Sequence, residues 1–358
     1  DIEIVEQNEV IHLLKTVDSD FVPKTCDSKK LAVIAQSSGT TSVSKGVMLS
    51  QKNILSDMVG GMRCYDYSLG AIYYHVLPYF HLFGLVADML GPLYSGGTIC
   101  FSNNRLSFFR DIQFFKPTNM NLPPAMVYVI EDMLIKTKNI QLATGGGLKK
   151  IMCAGAHLND SSRNMLKRFG VSVFPAYGLT ECSPCISMNS DLFFKPNSVG
   201  RILPCCEVSI KEGEITVRGD NVMLGYWNDQ NATDNTIKDG WLYTGDLGYI
   251  DEEGFLFLLG RKSNLIVFED GTKLIPELLE EEISEILGVK ECLVIKKIIA
   301  NHIRIKLIVV AESNGNKEKI TQQVNECFEK YHCLDKLTEI LFSEEDLPKN
   351  KLGKIIRK

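Results

Sequence analysis

Leu31-Ala32-Val33-Ile34-Ala35-Gln36 reads as a short apolar strand, and Ser37-Ser38-Gly39-Thr40-Thr41-Ser42-Val43-Ser44-Lys45-Gly46 follows it directly as a loop of small and hydroxyl residues ending in a lysine. Small residues let backbone N–H groups approach phosphate oxygens, hydroxyls add donors, and a lysine adds positive charge. The glycine and lysine spacing is not that of a Walker A loop. Taken alone, such a loop is equally an ordinary flexible connector. Just beyond it, Ser50 is a candidate N-cap for a helix over about Gln51–Cys64.

Outward from this point the chain keeps alternating. Short apolar runs at Ala71–Leu77, Thr98–Phe101, Lys150–Cys153 and Val171–Phe174 are separated by helical patterns at Leu82–Leu93 and Asn159–Phe169. That alternation predicts an α/β fold with layered helices and sheet. After Pro175 the texture changes. Residues 199–261 hold short strands (Glu214–Arg218, Trp241–Tyr243, Phe255–Leu259) and many turns, which reads as a small β subdomain. From Lys262 a third texture begins: an acidic helix over Glu277–Leu287, strands at Cys292–Lys297 and Arg304–Val310 joined by a turn near Asn301, a helix over Lys317–Lys330, and a strand at Glu339–Phe342. The expected organisation is a large α/β unit over residues 1–261, including the β subdomain at about 199–261, followed by a small α+β domain over 262–358.

Composition narrows the function classes. With 45% hydrophobic and 23% charged residues, the chain is ordinary globular material. The net charge is −5 and the basic residues are dispersed, against nucleic-acid binding. No apolar run reaches the length of a membrane span; Leu82–Leu93 is broken by Gly84, Asp88, Gly91 and Pro92. The 11 cysteines fit reduced thiols of a cytoplasmic enzyme better than a secreted disulfide framework. Cys182 and Cys185 form a CxxC pair followed by Cys205–Cys206, but a zinc site needs a second well-spaced pair or histidines.

Four further motifs carry chemistry. In Tyr177-Gly178-Leu179-Thr180-Glu181 a threonine can donate to a phosphate oxygen and a glutamate can hold Mg²⁺, though the pentapeptide could equally be a turn or cap. In Tyr243-Thr244-Gly245-Asp246-Leu247-Gly248 an aspartate at a strand end can accept from two ribose hydroxyls, or simply make a β-turn. Gly260-Arg261-Lys262 stands at the expected boundary, where an ordinary charged turn would also serve. Leu347-Pro348-Lys349-Asn350-Lys351-Leu352-Gly353-Lys354 forms a basic tail, a pattern that is usually solvated surface.

Taken together and in this order, these motifs resemble the adenylate-forming superfamily: acyl- and aryl-CoA synthetases, insect luciferases and peptide-synthetase adenylation domains. The resemblance runs from about Leu31 to the C-terminus and is closest to long-chain fatty-acyl-CoA ligases, through Gly260-Arg261-Lys262-Ser263-Asn264-Leu265-Ile266-Val267 with Gly271 and Pro276-Glu277. It implies ATP-dependent activation of a carboxylic acid to an acyl-adenylate with release of pyrophosphate, then transfer to the thiol of CoA, with Mg²⁺ as cofactor. Alternatives within that resemblance are transfer to the phosphopantetheine of an acyl-carrier protein and a catalytically weak nucleotide-binding protein.

The resemblance also implies roles. Ser37, Ser38, Gly39, Thr40, Thr41 and Lys45 would wrap the β- and γ-phosphates; Ser42 and Ser44 depart from the usual glycine and proline. His81 would lie beside the acyl carboxylate. Gly155 and Ala156 would line the adenine and acyl pocket. In the segment Ala176-Tyr177-Gly178, Tyr177 would stack on adenine, while Thr180 would contact the α-phosphate and Glu181 would coordinate Mg²⁺. Asp246 and Arg261 would hold the ribose, with Leu258 near the base. Lys354 would bridge carboxylate, ribose and α-phosphate during adenylation, and Ser263 would be the hinge about which a mobile C-terminal domain rotates. Members of this family carry a substantial N-terminal subdomain before the phosphate loop, and almost none of it precedes residue 37 here. An uncovered apolar face and homodimerisation through it are therefore expected.

Overall fold

The computed structural model describes residues 26–37, 44–65, 69–101, 107–300, 302–313, 315–349 and 355–357. Its largest sheet has seven strands. Four side-by-side pairings are parallel and join Thr98–Phe101, Ile72–His75, Asn119–Leu122, Lys150–Cys153 and Ser172–Gly178, in that spatial order. Cys185–Met188 and Arg201–Ile202 extend the sheet antiparallel. The inner parallel strands are largely buried, although Asn119 and Asn121 alternate with Met120 and Leu122 on one of them and the edge strand Thr98–Phe101 stays partly exposed. On one face the helix Pro124–Thr137 buries Val127, Ile130 and Leu134, at i, i+3 and i+7, against Met120, Leu122 and Ile151. Each such side chain contributes roughly 1.5–3 kcal/mol.

The Gln51–Cys64 helix begins where the sequence places it. Ser50 accepts from the Asn53 N–H while the Asn53 side chain accepts from the Ser50 N–H, closing a capping box. The apolar stretch expected as one helix over Leu82–Leu93 is instead a π-helix, Phe83–Leu90, continued by one α-turn at Gly91–Tyr94. Residues 72–75, rather than 71–77, form the preceding strand.

Two smaller sheets follow. A five-stranded antiparallel sheet is built on the long strand Trp241–Ile250, which pairs with Glu214–Gly219, Ile237–Lys238 and Leu256–Arg261. Leu31–Gln36, Gly46–Ser50 and Gly225–Tyr226 make a three-stranded sheet. Ile215, Val217 and Leu242 share a core with Val47, Leu49, Ile54 and Tyr177, so these sheets pack as one body with the Gln51–Cys64 helix.

Beyond Arg261 the residues close a core of their own. Val289–Ile299 pairs antiparallel with His302–Ala311, which pairs parallel with Leu337–Ser343. The helices Pro276–Ser284 and Lys317–Lys330 cover that sheet, burying Leu279, Ile283, Ile320, Val324 and Phe328 against Ile305, Leu307 and Val309. The first two strands run longer than expected because the hairpin continues to its tip. The acidic helix starts one residue earlier and ends at Ser284.

Candidate functional site

Carboxyl ends of parallel strands are where open α/β sheets place ligands. Here those ends open into a cavity of about 830 Å³. Its walls come from the strand ends (Leu77, Pro123, Ala154, Ala176, Tyr177), the π-helix (Phe83, Val86, Ala87), the five-stranded sheet (Glu214, Tyr243, Thr244) and the chain crossing at Arg261–Ser263.

Asp246 is 7% exposed and is bonded to Tyr177 and Arg261, which line this cavity. Tyr177 donates from its hydroxyl to Asp246 Oδ2 at 2.7 Å, and Arg261 donates from Nε to Oδ1 at 2.9 Å. The antiparallel register aligns Asp246 with Arg261, so backbone pairing alone brings the two side chains together. The Thr244 hydroxyl accepts from the Asp246 N–H at 3.1 Å and donates to Ile215 O, which stiffens the turn. Burial and the adjacent Asp246 carboxylate push the Tyr177 phenol well above its ordinary value, so it stays a donor at neutral pH.

Glu181 lies in the short turn Thr180–Cys182 after the Ser172–Gly178 strand, and both Thr180 and Glu181 line the cavity. Gly178 makes the turn possible: a Cβ there would stand 1.8 Å from Pro184 O. Tyr226 donates from its hydroxyl to Glu181 Oε1 at 2.8 Å, and no partner among the described residues takes Oε2. Lys45 Nζ lies 4.7 Å from the centroid of the Tyr226 ring, a cation–π contact that draws the base of the loop toward Glu181. The loop is pinned at its base. Ser37 N–H donates to Lys45 O, Lys45 N–H to Ser37 Oγ, and Ser44 Oγ to Ser37 O. Ser38, Gly39, Thr40 and Thr41 lie outside the described residues, as does Lys354.

His81 and Gly155 line the cavity, as do Ala176, Gly178 and Ser263. Ala156 is exposed beside Gly155, and Leu258, 37% exposed, pairs with Gly248 away from the cavity wall. Sequence reasoning missed Tyr226 and Glu214, and it gave Lys262 no partner. Glu214 accepts from the Gly245 N–H at 2.9 Å and from Lys262 Nζ at 2.7 Å, tying the Thr244–Asp246 turn to the chain crossing. These partners stand 31 and 48 residues apart in sequence, and no local motif signals them.

Cys182 is fully buried, the Cys185 N–H donates to Asp57, and among the described residues no group of three or more His, Cys, Asp or Glu is placed to hold an ion. Nor is any helix of the described residues long and apolar enough to cross a membrane.

A family profile described as AMP-binding enzyme matches residues 3–227, more than half of the chain. The chain belongs to the AMP-binding enzyme family. Relatives in this family include a long-chain-fatty-acid–CoA ligase of Salmonella typhimurium, 29% identical over 362 residues that cover 94% of this chain and 62% of the relative. A probable 4-coumarate–CoA ligase of Dictyostelium discoideum is 32% identical over 67% of this chain and 46% of its own length. The chain thus spans about three-fifths or less of the curated relatives it matches. Among solved structures, ATP-bound MatB from Rhodopseudomonas palustris superposes with a TM-score of 0.84 at 25% identity, covering 97% of this chain and 71% of that one. The o-succinylbenzoate CoA synthetase of Bacillus subtilis, in complex with AMP, gives 0.79 at 25% identity, covering 98% and 73%. The α/β architecture is that of AMP-binding family enzymes.

Proposed function

We propose that the chain activates a carboxylic acid with ATP and passes the acyl group to CoA, with a fatty acid as the substrate class. The observation that carries this reading is the Asp246 carboxylate, held between Tyr177 and Arg261, the two of which line the cavity. A buried carboxylate aimed by two donors is suited to accept from a pair of ribose hydroxyls. The names of the relatives, fatty-acid and coumarate CoA ligases, support the same chemistry.

In this reading the acid enters against the apolar wall of Leu77, Leu82, Val86 and Met152, with His81 beside its carboxylate. A carboxylate oxygen attacks the α-phosphorus, the bond to the bridging oxygen breaks, and pyrophosphate leaves. Two anions must meet, so cations supply most of the catalysis. In this reading Lys45 and its loop would bind the β- and γ-phosphates, Thr180 would contact the α-phosphate, and Lys354 would bridge carboxylate and phosphate. Glu181 fits a hard cation: its Oε2 is open, and Mg²⁺ is usually held by one or two carboxylates together with substrate phosphates. Bound there, Mg²⁺ would neutralise charge on the departing pyrophosphate. In the second step the CoA sulfur attacks the acyl carbonyl and AMP leaves. Ser263, in the turn Lys262–Asn264 between the two cores, is where the C-terminal unit would turn between the steps. All eleven cysteines are free, which supports a reducing, cytoplasmic setting for these substrates.

The test is acid-dependent exchange of labelled pyrophosphate into ATP with a panel of alkyl and aryl acids, followed by thioester formation with CoA alone. Exchange with fatty acids and an acyl-CoA product sustain the reading. Exchange without a CoA product points to a carrier-protein arm as acceptor, and no exchange with any acid overturns the reading.

A further inference from the structure

Behind the apolar end of the cavity lies a buried polar cluster that the proposed chemistry does not use. His75, at the end of the Ile72–His75 strand, places Nδ1 2.8 Å from Asp88 Oδ2, with side chains 4% and 0% exposed. Asp88 lies within the π-helix Phe83–Leu90. Asn121, on the neighbouring Asn119–Leu122 strand, donates from Nδ2 to Ala87 O at 2.8 Å and to Asp88 Oδ1 at 3.3 Å. The Val76 backbone also hydrogen-bonds Asp88. Tyr79 stacks on the His75 ring at 4.4 Å between centroids, and Phe101 meets it edge-on at 5.6 Å. Burial pushes the Asp88 carboxyl up, while His75, Asn121 and Val76 pull it down.

Such a cluster is a poor way to gain stability, because desolvating its polar groups offsets most of their attraction and apolar residues of similar volume serve as well. It does fix geometry. The π-helix has two working faces: one carries Asp88 toward the sheet, and the other presents Phe83, Val86 and Ala87 to the cavity. Ala87 belongs to both, since its carbonyl is held by Asn121. At the helix start, a Cβ on Gly84 would lie 2.6 Å from Pro78 O, so the helix also rests directly on the chain that leads to His81. A shift of the Asp88 anchor therefore moves the cavity wall. π-Helical turns recur at functional sites for this kind of reason.

We propose that His75, Asp88 and Asn121 are positioning residues that hold the π-helix on the sheet and thereby set which carboxylic acids the cavity admits. The inference rests on the acid-activating reading above and concerns its selectivity.

The experiment uses the 358-residue chain and its Asp88→Asn and His75→Gln variants. Linear acids from butanoate to palmitate compete with a fluorescent fatty acid in the absence of nucleotide. AMP affinity, pyrophosphate exchange and melting temperature are measured alongside. The expected result is a change of about five-fold or more in the affinity ratio between short and long acids, a size set by one or two methylenes of lost or gained fit. AMP affinity stays within about two-fold, since the cluster touches no nucleotide-facing residue. An unchanged ratio in folded variants, or an equal loss for every acid and for AMP, overturns the proposal. If Asp88→Asn does not fold, His75→Gln and Asn121→Ser decide by the same ratio. Acid binding by the wild type with shifted ratios in the variants, but without pyrophosphate exchange, sinks the adenylation reading and upholds this one. Normal exchange with unshifted ratios does the reverse. A wild type that binds no acid sinks both.

Discussion

Tyr177 and Asp246, 69 residues apart in sequence and on different sheets, meet at a 2.7 Å hydrogen bond. The bond joins the end of the last parallel strand to the middle of the long strand of the five-stranded sheet, and the cavity lies along this seam. Asp246 therefore ties the two sheets together, and in the proposed reading it also meets the nucleotide.

Replacing it tests both. Asp246→Asn removes the charge that Arg261 faces and weakens two charge-assisted hydrogen bonds, each worth about 1.5–3 kcal/mol. We expect AMP affinity by calorimetry to fall at least about ten-fold, with the variant still folded. Tyr177→Phe removes one donor and should cost about ten-fold or less. Equal affinity in Asp246→Asn and wild type would remove the ribose assignment.

Lys354→Ala separates binding from chemistry. Acid-dependent pyrophosphate exchange should drop by about a hundred-fold or more, the scale on which a group stabilising transition-state charge acts, while AMP affinity and melting temperature hold. A matching drop in AMP affinity would make Lys354 a binding residue instead.

Gly178 admits no side chain. A Cβ 1.8 Å from Pro184 O forces the Thr180–Cys182 turn to move, so Gly178→Ala should destabilise by about 3 kcal/mol and disorder Glu181. Differential scanning calorimetry reads the stability, and a variant melting within a degree or two of wild type would contradict the packing described here.

Glu280 gives stability a pH dependence. Burial pushes its carboxyl up to about 7, against the opposing pull of Arg357 and the Val294 N–H. Its folded value lies above the ordinary 4.5, so between these two the folded chain binds more protons than the unfolded one. The stability from this group is complete below pH 4.5 and is lost as pH rises through about 7. Urea midpoints should therefore fall from pH 5 to 8 in the wild type and stay flatter in Glu280→Gln. Parallel slopes in the two proteins would assign the pH dependence elsewhere.

What the sequence revealed followed the range of its signals. The Ser50 cap and the Leu31–Gln36 strand rest on local pattern, and the five motifs, Asp246 and Arg261 among them, were legible because their order is itself a pattern, while the ion pair between those two side chains appears only once their strands are paired. The π-helix was not: a short apolar run of Phe, Leu, Val and Met has the same composition whether its bonds close one residue earlier or later. Tyr226 was missed because its partner Glu181 lies 45 residues away, across a sheet contact that only the fold creates. His75, Asp88 and Asn121 were hidden in the same way, standing on separate segments that only the fold brings together.

Each turn of the Phe83–Leu90 helix closes with one residue more than an α-turn needs. In evolutionary terms the segment holds a spare residue. Losing one there would restore α-helical bonding rather than break the chain, and the sheet beneath, fixed by its own ladders, would keep its register. A one-residue length difference between this chain and a relative is thus best absorbed here, and the change would appear in the cavity wall rather than in the fold.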